Sequence, residues 1–167
     1  MKHHYSFFLT CLVAIFIFAA NLSPAQASSF IPKSEAALGG IQIGATADYV
    51  RSIYGEPTTA RSLDGHWCGY TSEWVYGETF KIDFENGTVT HVEVSANNGI
   101  TTPAGFAVGQ NISAPLAYYG DDTCERLKRN YLFYASVGNW LNFTTDKKGN
   151  ITNIVLSPCV SIVVSET

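Results

Sequence analysis

The chain has 167 residues, 46% of them hydrophobic, and a formal net charge of −4 from 10 bases and 14 acids. That length fits one ordinary domain or two very small ones. A mildly acidic chain with one short basic run, Arg126-Leu127-Lys128-Arg129, argues against nucleic acid, whose phosphates select clustered cations.

The first element is a secretory signal peptide. Lys2, His3 and His4 precede an apolar run from Phe7 to Ala20, and Ala25-Gln26-Ala27 is a small-residue cleavage site, with the cut placed after Ala27. The run is too short to span a bilayer, which needs about 20 apolar residues. No later stretch is long enough either, so the sequence predicts no transmembrane segment after cleavage. Residues 28–33 read as a frayed leader. Ser34 to Leu38, stopped by Gly39-Gly40, reads as one helical turn capped by Ser34. A clearer helix follows, capped by Thr46 or Asp48, with Val50, Ile53 and Tyr54 on one face and Gly55 and Pro57 as the stop. Strands are expected around Gly65–Tyr70, Glu73–Tyr76, Thr79–Glu85 and Val89–Ser95. Asn86-Gly87 between the last two is a hairpin signal, because both residues tolerate positive φ.

The same order then recurs. Gly40-Ile41-Gln42-Ile43-Gly44 is matched by Gly105-Phe106-Ala107-Val108-Gly109, and Gly55-Glu56 by Gly120-Asp121. The second helix takes Asn111 or Ser113 as cap, Pro115 in its first turn, and Leu116 and Tyr119 on its apolar face. Strands are expected around Tyr131–Ser136, Trp140–Thr145 and Ile151–Pro158, with Lys148-Gly149-Asn150 as a hairpin. The basic run reads as a solvated helix or loop face. The fold class that follows is α+β. It has two tandem repeats, 28–98 and 99–167, each a short helical element packed on an antiparallel meander of three to four strands.

The pattern Ile43-Gly44-x-Thr46, Ile53-x-Gly55-Glu56-Pro57, Trp67-x-x-Tyr70 and Phe84-Glu85-Asn86-Gly87-Thr88-Val89 resembles the SmpA/OmlA (BamE) family of small bacterial envelope proteins. Its duplication over nearly the whole chain resembles the β-lactamase-inhibitory-protein (BLIP) group. That resemblance implies two helix-plus-sheet units forming a concave surface that binds a protein.

The chemistry points the same way. His66 and Cys68 share a strand face and make the best nucleophile–base or metal candidate, beside the simpler reading of a buried or disulfide-bonded thiol, which is preferred. No closely spaced ligand pairs suit a zinc site, and no glycine-rich loop suits a phosphate, so no metal or cofactor is expected. Three cysteines follow the signal peptide. Cys124–Cys159 is the preferred disulfide, with Cys68–Cys124 as competitor. Trp67, Tyr70, Trp74, Tyr76, Tyr134 and Trp140 fall in strand sequence, and Trp and Tyr are enriched at protein interfaces. His91 and Glu93 alternate with Val92 and Val94 and would edge the same surface. The sequence therefore predicts a secreted or periplasmic, non-enzymatic protein-binding module that uses an aromatic-rich sheet face, as an inhibitor or an envelope-assembly component. Its alternatives are an enzyme or metal site at His66/Cys68 and a structural envelope protein.

Overall fold

The computed structural model describes residues 30–63, 70–135 and 138–158. The signal peptide, His66, Trp67, Cys68 and Cys159 lie outside these residues. The leader is better held than expected. Ile31 is buried, bridges to Ala135 and donates its N–H to Tyr134 O at 2.8 Å. The first helical turn is a 3-10 turn, Lys33–Glu35, with no side-chain cap.

Helix α1, Ala47–Tyr54, begins where Thr46 Oγ1 accepts the Tyr49 N–H at 3.2 Å. It ends where Gly55, at φ 73°, donates its N–H to Arg51 O. Val50 is fully buried and Tyr54 packs on the core, but Ile53 lies outside the inward stripe and is 45% exposed. Helix α2, Ser113–Tyr119, is capped by Ile112, with Asn111 Oδ1 accepting the Ser113 N–H at 3.1 Å. Pro115 sits in its first turn, where the missing N–H costs least.

Eight strands follow the chain: β1 Thr59–Ser62, β2 Ser72–Tyr76, β3 Phe80–Glu85, β4 Thr88–Val94, β5 Cys124–Leu127, β6 Asn130–Tyr134, β7 Asn139–Thr145 and β8 Ile151–Pro158. They pair antiparallel in the order β1-β2-β3-β4-β8-β7-β6-β5. The expectation of two tandem repeats, each on its own small meander, is thereby corrected. There is one large sheet, joined through its centre by Val92↔Leu156, Glu93↔Val155 and Val94↔Ile154. One core cluster runs from Val50 and Phe80 on one side to Phe133 and Phe143 on the other. The joining strands are apolar on one face (Val92, Val94, Ile154, Leu156), so pairing them edge to edge buries more area than leaving two exposed edges.

The recurring glycine segments have a backbone task. Gly44 N–H donates to Val89 O and Val89 N–H to Ala45 O; Gly109 N–H donates to Ile151 O and Ile151 N–H to Gln110 O. Each segment is thus stitched to the start of a central strand. Asn86 and Gly87 have φ of 50° and 77°, the positive values of the tight hairpin between β3 and β4.

The strands β1 and β5 have no counterpart in the sequence reading. Both are sheet edges, exposed over most or all of their length, and neither alternates apolar with polar residues. The basic run therefore is not a helix face: Arg126 and Leu127 end β5, and Lys128 takes φ 58° in the turn to β6.

Candidate functional site

Both helices pack on one face of the sheet. Tyr54 of α1 meets the rings of Tyr76 and Phe80 at 5.4 and 5.0 Å, and Tyr119 of α2 meets Phe133 at 5.1 Å. Strand alternation then assigns every side chain. Trp74 and Tyr76 of β2 point to the helices, with Phe80, Ile82, Phe84, Leu141 and Phe143. Trp74 is 9% exposed, 4.6 Å from Phe84 and beneath the Arg51 guanidinium. Tyr76 donates its hydroxyl to Gly55 O at 3.1 Å. Trp74 is buried on the helix side and Tyr76 is partly buried there against the core, so these two binding candidates lie on the face that the helices cover. Large aromatic side chains on a half-buried strand gain most by filling the covered face.

His91, Glu93, Tyr134 and Trp140 lie on the opposite face, against which no described helix packs. A polar chain crosses it. Arg61 Nε lies 3.4 Å from Glu73 Oε1, and Lys81 Nζ lies 3.9 Å from Glu73 Oε2 and 3.0 Å from Glu93 Oε2. His91 Nε2 stands 3.8 Å from Glu93 Oε2, and Asn153 Nδ2 donates to Glu93 Oε1 at 2.8 Å. The His91 ring, then Lys81 and Asn153, hold the Glu93 carboxyl down to about 2 against its burial. Tyr70 brings its ring within 6.2 Å of His91. At the far end the Tyr134 and Trp140 rings stand 6.0 Å apart; Tyr134 donates to Glu125 and the Trp140 indole N–H to Ser157.

Three further residues belong to this face and were not singled out as binding residues: Asp83, Asn142 and Asn153. Each has a buried Oδ1 with no hydrogen-bond partner. Asp83 is 3% exposed, and its burial raises the carboxyl's pKa despite nearby Lys81 and His91. The alternation Phe80-Lys81-Ile82-Asp83-Phe84 already put Lys81 and Asp83 together opposite the core. What it could not supply was the register that sets Asp83 against Glu73 and His91.

Among the described residues no group of three or more His, Cys, Asp or Glu side chains is placed to hold a metal. There is also no disulfide among them. The Cys124 thiol is free and half-buried, on the helix-covered face opposite Phe133, and burial pushes it up.

No family model and no curated protein matches the chain. Among the solved structures that share its fold are an extracellular and a secretory protein. One is an extracellular protein containing a SCP domain from Bacillus anthracis, 13% identical, with a TM-score of 0.54 over 70% of this chain and 44% of that one. The other is a cysteine-rich secretory protein from Staphylococcus aureus, 11% identical, with a TM-score of 0.53 over 78% of this chain and 50% of that one. The chain thus spans half of those proteins or less. These findings correct the resemblance to SmpA/OmlA (BamE) and BLIP proteins, since the similar folds belong to SCP-domain proteins. Of the residues that carried the resemblance, Gly44, Gly55, Asn86 and Gly87 make turns and Phe84 and Val89 fill the core, which unrelated sheets also require. Among the described residues no helix is long and apolar enough to cross a membrane.

Proposed function

We propose that this chain is an extracellular, non-enzymatic module that binds a protein through the sheet face opposite the two helices. One observation carries the reading. Both helices lie on the same side, and the other side presents a continuous polar chain from Arg61 to Asn153 with the Tyr134–Trp140 pair at its far end. Aromatic anchors beside charged groups are what protein interfaces use for affinity and register. The signal-peptide pattern before Ala27 and the extracellular and secretory proteins that share the fold support export.

Affinity capture from the extracellular fraction of the source cells tests it. A partner should be retained by the wild type and by a Tyr49→Ala/Ile53→Ala variant on the helix side, and lost by Tyr134→Ala/Trp140→Ala. Retention by the last variant and loss by the first would move the interface to the helices.

A further inference from the structure

Five of the chain's ten lysines and arginines fall in two short runs, Arg126 to Arg129 and Lys147-Lys148, and the only acid from one run to the other is Asp146. The runs are well apart in sequence, but the fold brings them to one end of the sheet. Strands β5 and β6 meet in the turn at Lys128-Arg129, and β7 and β8 in the turn that carries Lys147 and Lys148. Because β6 and β7 are neighbours, Asn130 stands against Thr144, and Thr145 donates its N–H to Arg129 O at 2.9 Å. The two turns are thereby tied side by side.

All five bases are exposed. Arg126 pairs with Asp121, but Lys128, Arg129, Lys147 and Lys148 pair with no carboxylate among the described residues. Asp146 turns its carboxylate to the turn itself. Its Oδ1 accepts the N–H groups of Lys148 and Asn150, both at 2.8 Å, and its Oδ2 accepts the Asn150 side-chain N–H at 3.0 Å. Glu78, in the β2–β3 turn at the same end, is set apart by β4. This corner is therefore positive in a chain whose net charge is negative. Leu127 adds an independent observation. It ends β5 between Arg126 and Lys128 and is 45% exposed, so a large apolar side chain stands in water among the unpaired cations.

The geometry points to this end of the sheet as a docking site for an anionic phospholipid surface. Lys128, Arg129, Lys147 and Lys148 meet the headgroup phosphates, and Leu127 enters the boundary between headgroups and acyl chains. Bases around an apolar tip are what interfacial anchors use, charge for attraction and apolar area for hold. A soluble polyanion would employ the bases and leave Leu127 without a role. The turns are already fixed by the Arg129–Thr145 and Asp146 hydrogen bonds, so little ordering opposes docking. Contact through the strand ends leaves both sheet faces upright, and the face that bears Glu93 and Trp140 stays open to a protein. The inference does not depend on that face being an interface.

The test is co-flotation of the full secreted chain with vesicles of phosphatidylcholine alone and of equal parts phosphatidylcholine and phosphatidylglycerol. The chain should float with the anionic vesicles only and be released at about 1 M salt, where charges are screened beyond about 3 Å. Lys148→Gln should weaken binding about fivefold, the usual effect of one base near an anionic surface. Lys33→Gln removes the same charge from an exposed position outside the two turns and should leave binding unchanged. Leu127→Ser should weaken it roughly tenfold, as expected for an apolar side chain withdrawn from the boundary. No flotation, equal flotation with neutral vesicles, or equal weakening by Lys33→Gln and Lys148→Gln would overturn the inference. Unchanged binding by Leu127→Ser, with dextran sulfate displacing the vesicles, would make the corner a site for soluble polyanions, and the membrane assignment would fall.

Discussion

Asp83 and Glu93 sit on adjacent strands of one face, yet their surroundings push them in opposite directions. Glu93 is held down to about 2 by His91, Lys81 and Asn153, so its contribution to stability is present above 4.5 and lost as pH falls toward 2. Asp83 is raised by burial, although Lys81 and His91 oppose this and Glu73 and Glu93 add to it. Its ionised form therefore costs stability as pH climbs from 3.8 through the raised value. Near neutrality, Asp83→Asn should gain about 1 kcal/mol in urea unfolding and Glu93→Gln should lose about 1–3 kcal/mol. The Asp83→Asn gain should vanish below 3.8, and the Glu93→Gln deficit should fade toward 2. A destabilised Asp83→Asn protein near neutrality would show that Oδ1 has a structural partner. Gly39 offers a steric counterpart. It has φ 60°, and a Cβ there would stand 2.5 Å from the Tyr54 hydroxyl oxygen and 3.1 Å from Ile100, so Gly39→Ala should destabilise by about 2 kcal/mol or more, read as a lower urea midpoint.

At the scale of elements, the central strands could be read in the sequence and the edges could not. Phe80, Ile82 and Phe84 alternate with Lys81 and Asp83, and Asn86-Gly87 closes the hairpin, so β3 and β4 announce themselves. Thr59-Ala60-Arg61-Ser62 and Cys124-Glu125-Arg126-Leu127 hold their strands by backbone pairing with a neighbour, which leaves no pattern in the side chains. Alternation also told which residues share a face, but not which face the helices would cover. That is why Trp74 and Tyr76 were grouped with Tyr134 and Trp140. The two pairs should now separate by experiment. Trp74→Ala removes a core ring packed on Phe84 and Arg51 and should cost about 3–5 kcal/mol in thermal or urea unfolding. Tyr134→Ala/Trp140→Ala opens no cavity in the helix-side core and should cost well under that, with its effect falling on binding. Equal destabilisation would mean that the second pair is core as well.

Over the whole molecule, the recurring glycine segments were legible and the assembly they serve was not. Gly44 and Gly109 tie to Val89 and Ile151 in the same manner, so the repetition marks a local backbone device. Whether four strands and another four stand apart or merge is decided by the β4–β8 pairing, a contact between distant sequence positions that no local pattern encodes. With one sheet and one core cluster, the chain should unfold in a single transition, and tryptophan fluorescence and far-UV circular dichroism of the unsubstituted protein should give coincident urea curves. Two separated curves would mean that the halves are independent. That both described helices lie on one side of the sheet also makes the functional claim directional. The most direct test is site-specific photo-crosslinking in the native extracellular fraction from two positions, Val155 on the polar face and Ile53 on the exposed side of α1. Crosslinks to one protein from Val155 and none from Ile53 are the expected result. Crosslinks from Ile53 with none from Val155 would contradict the account.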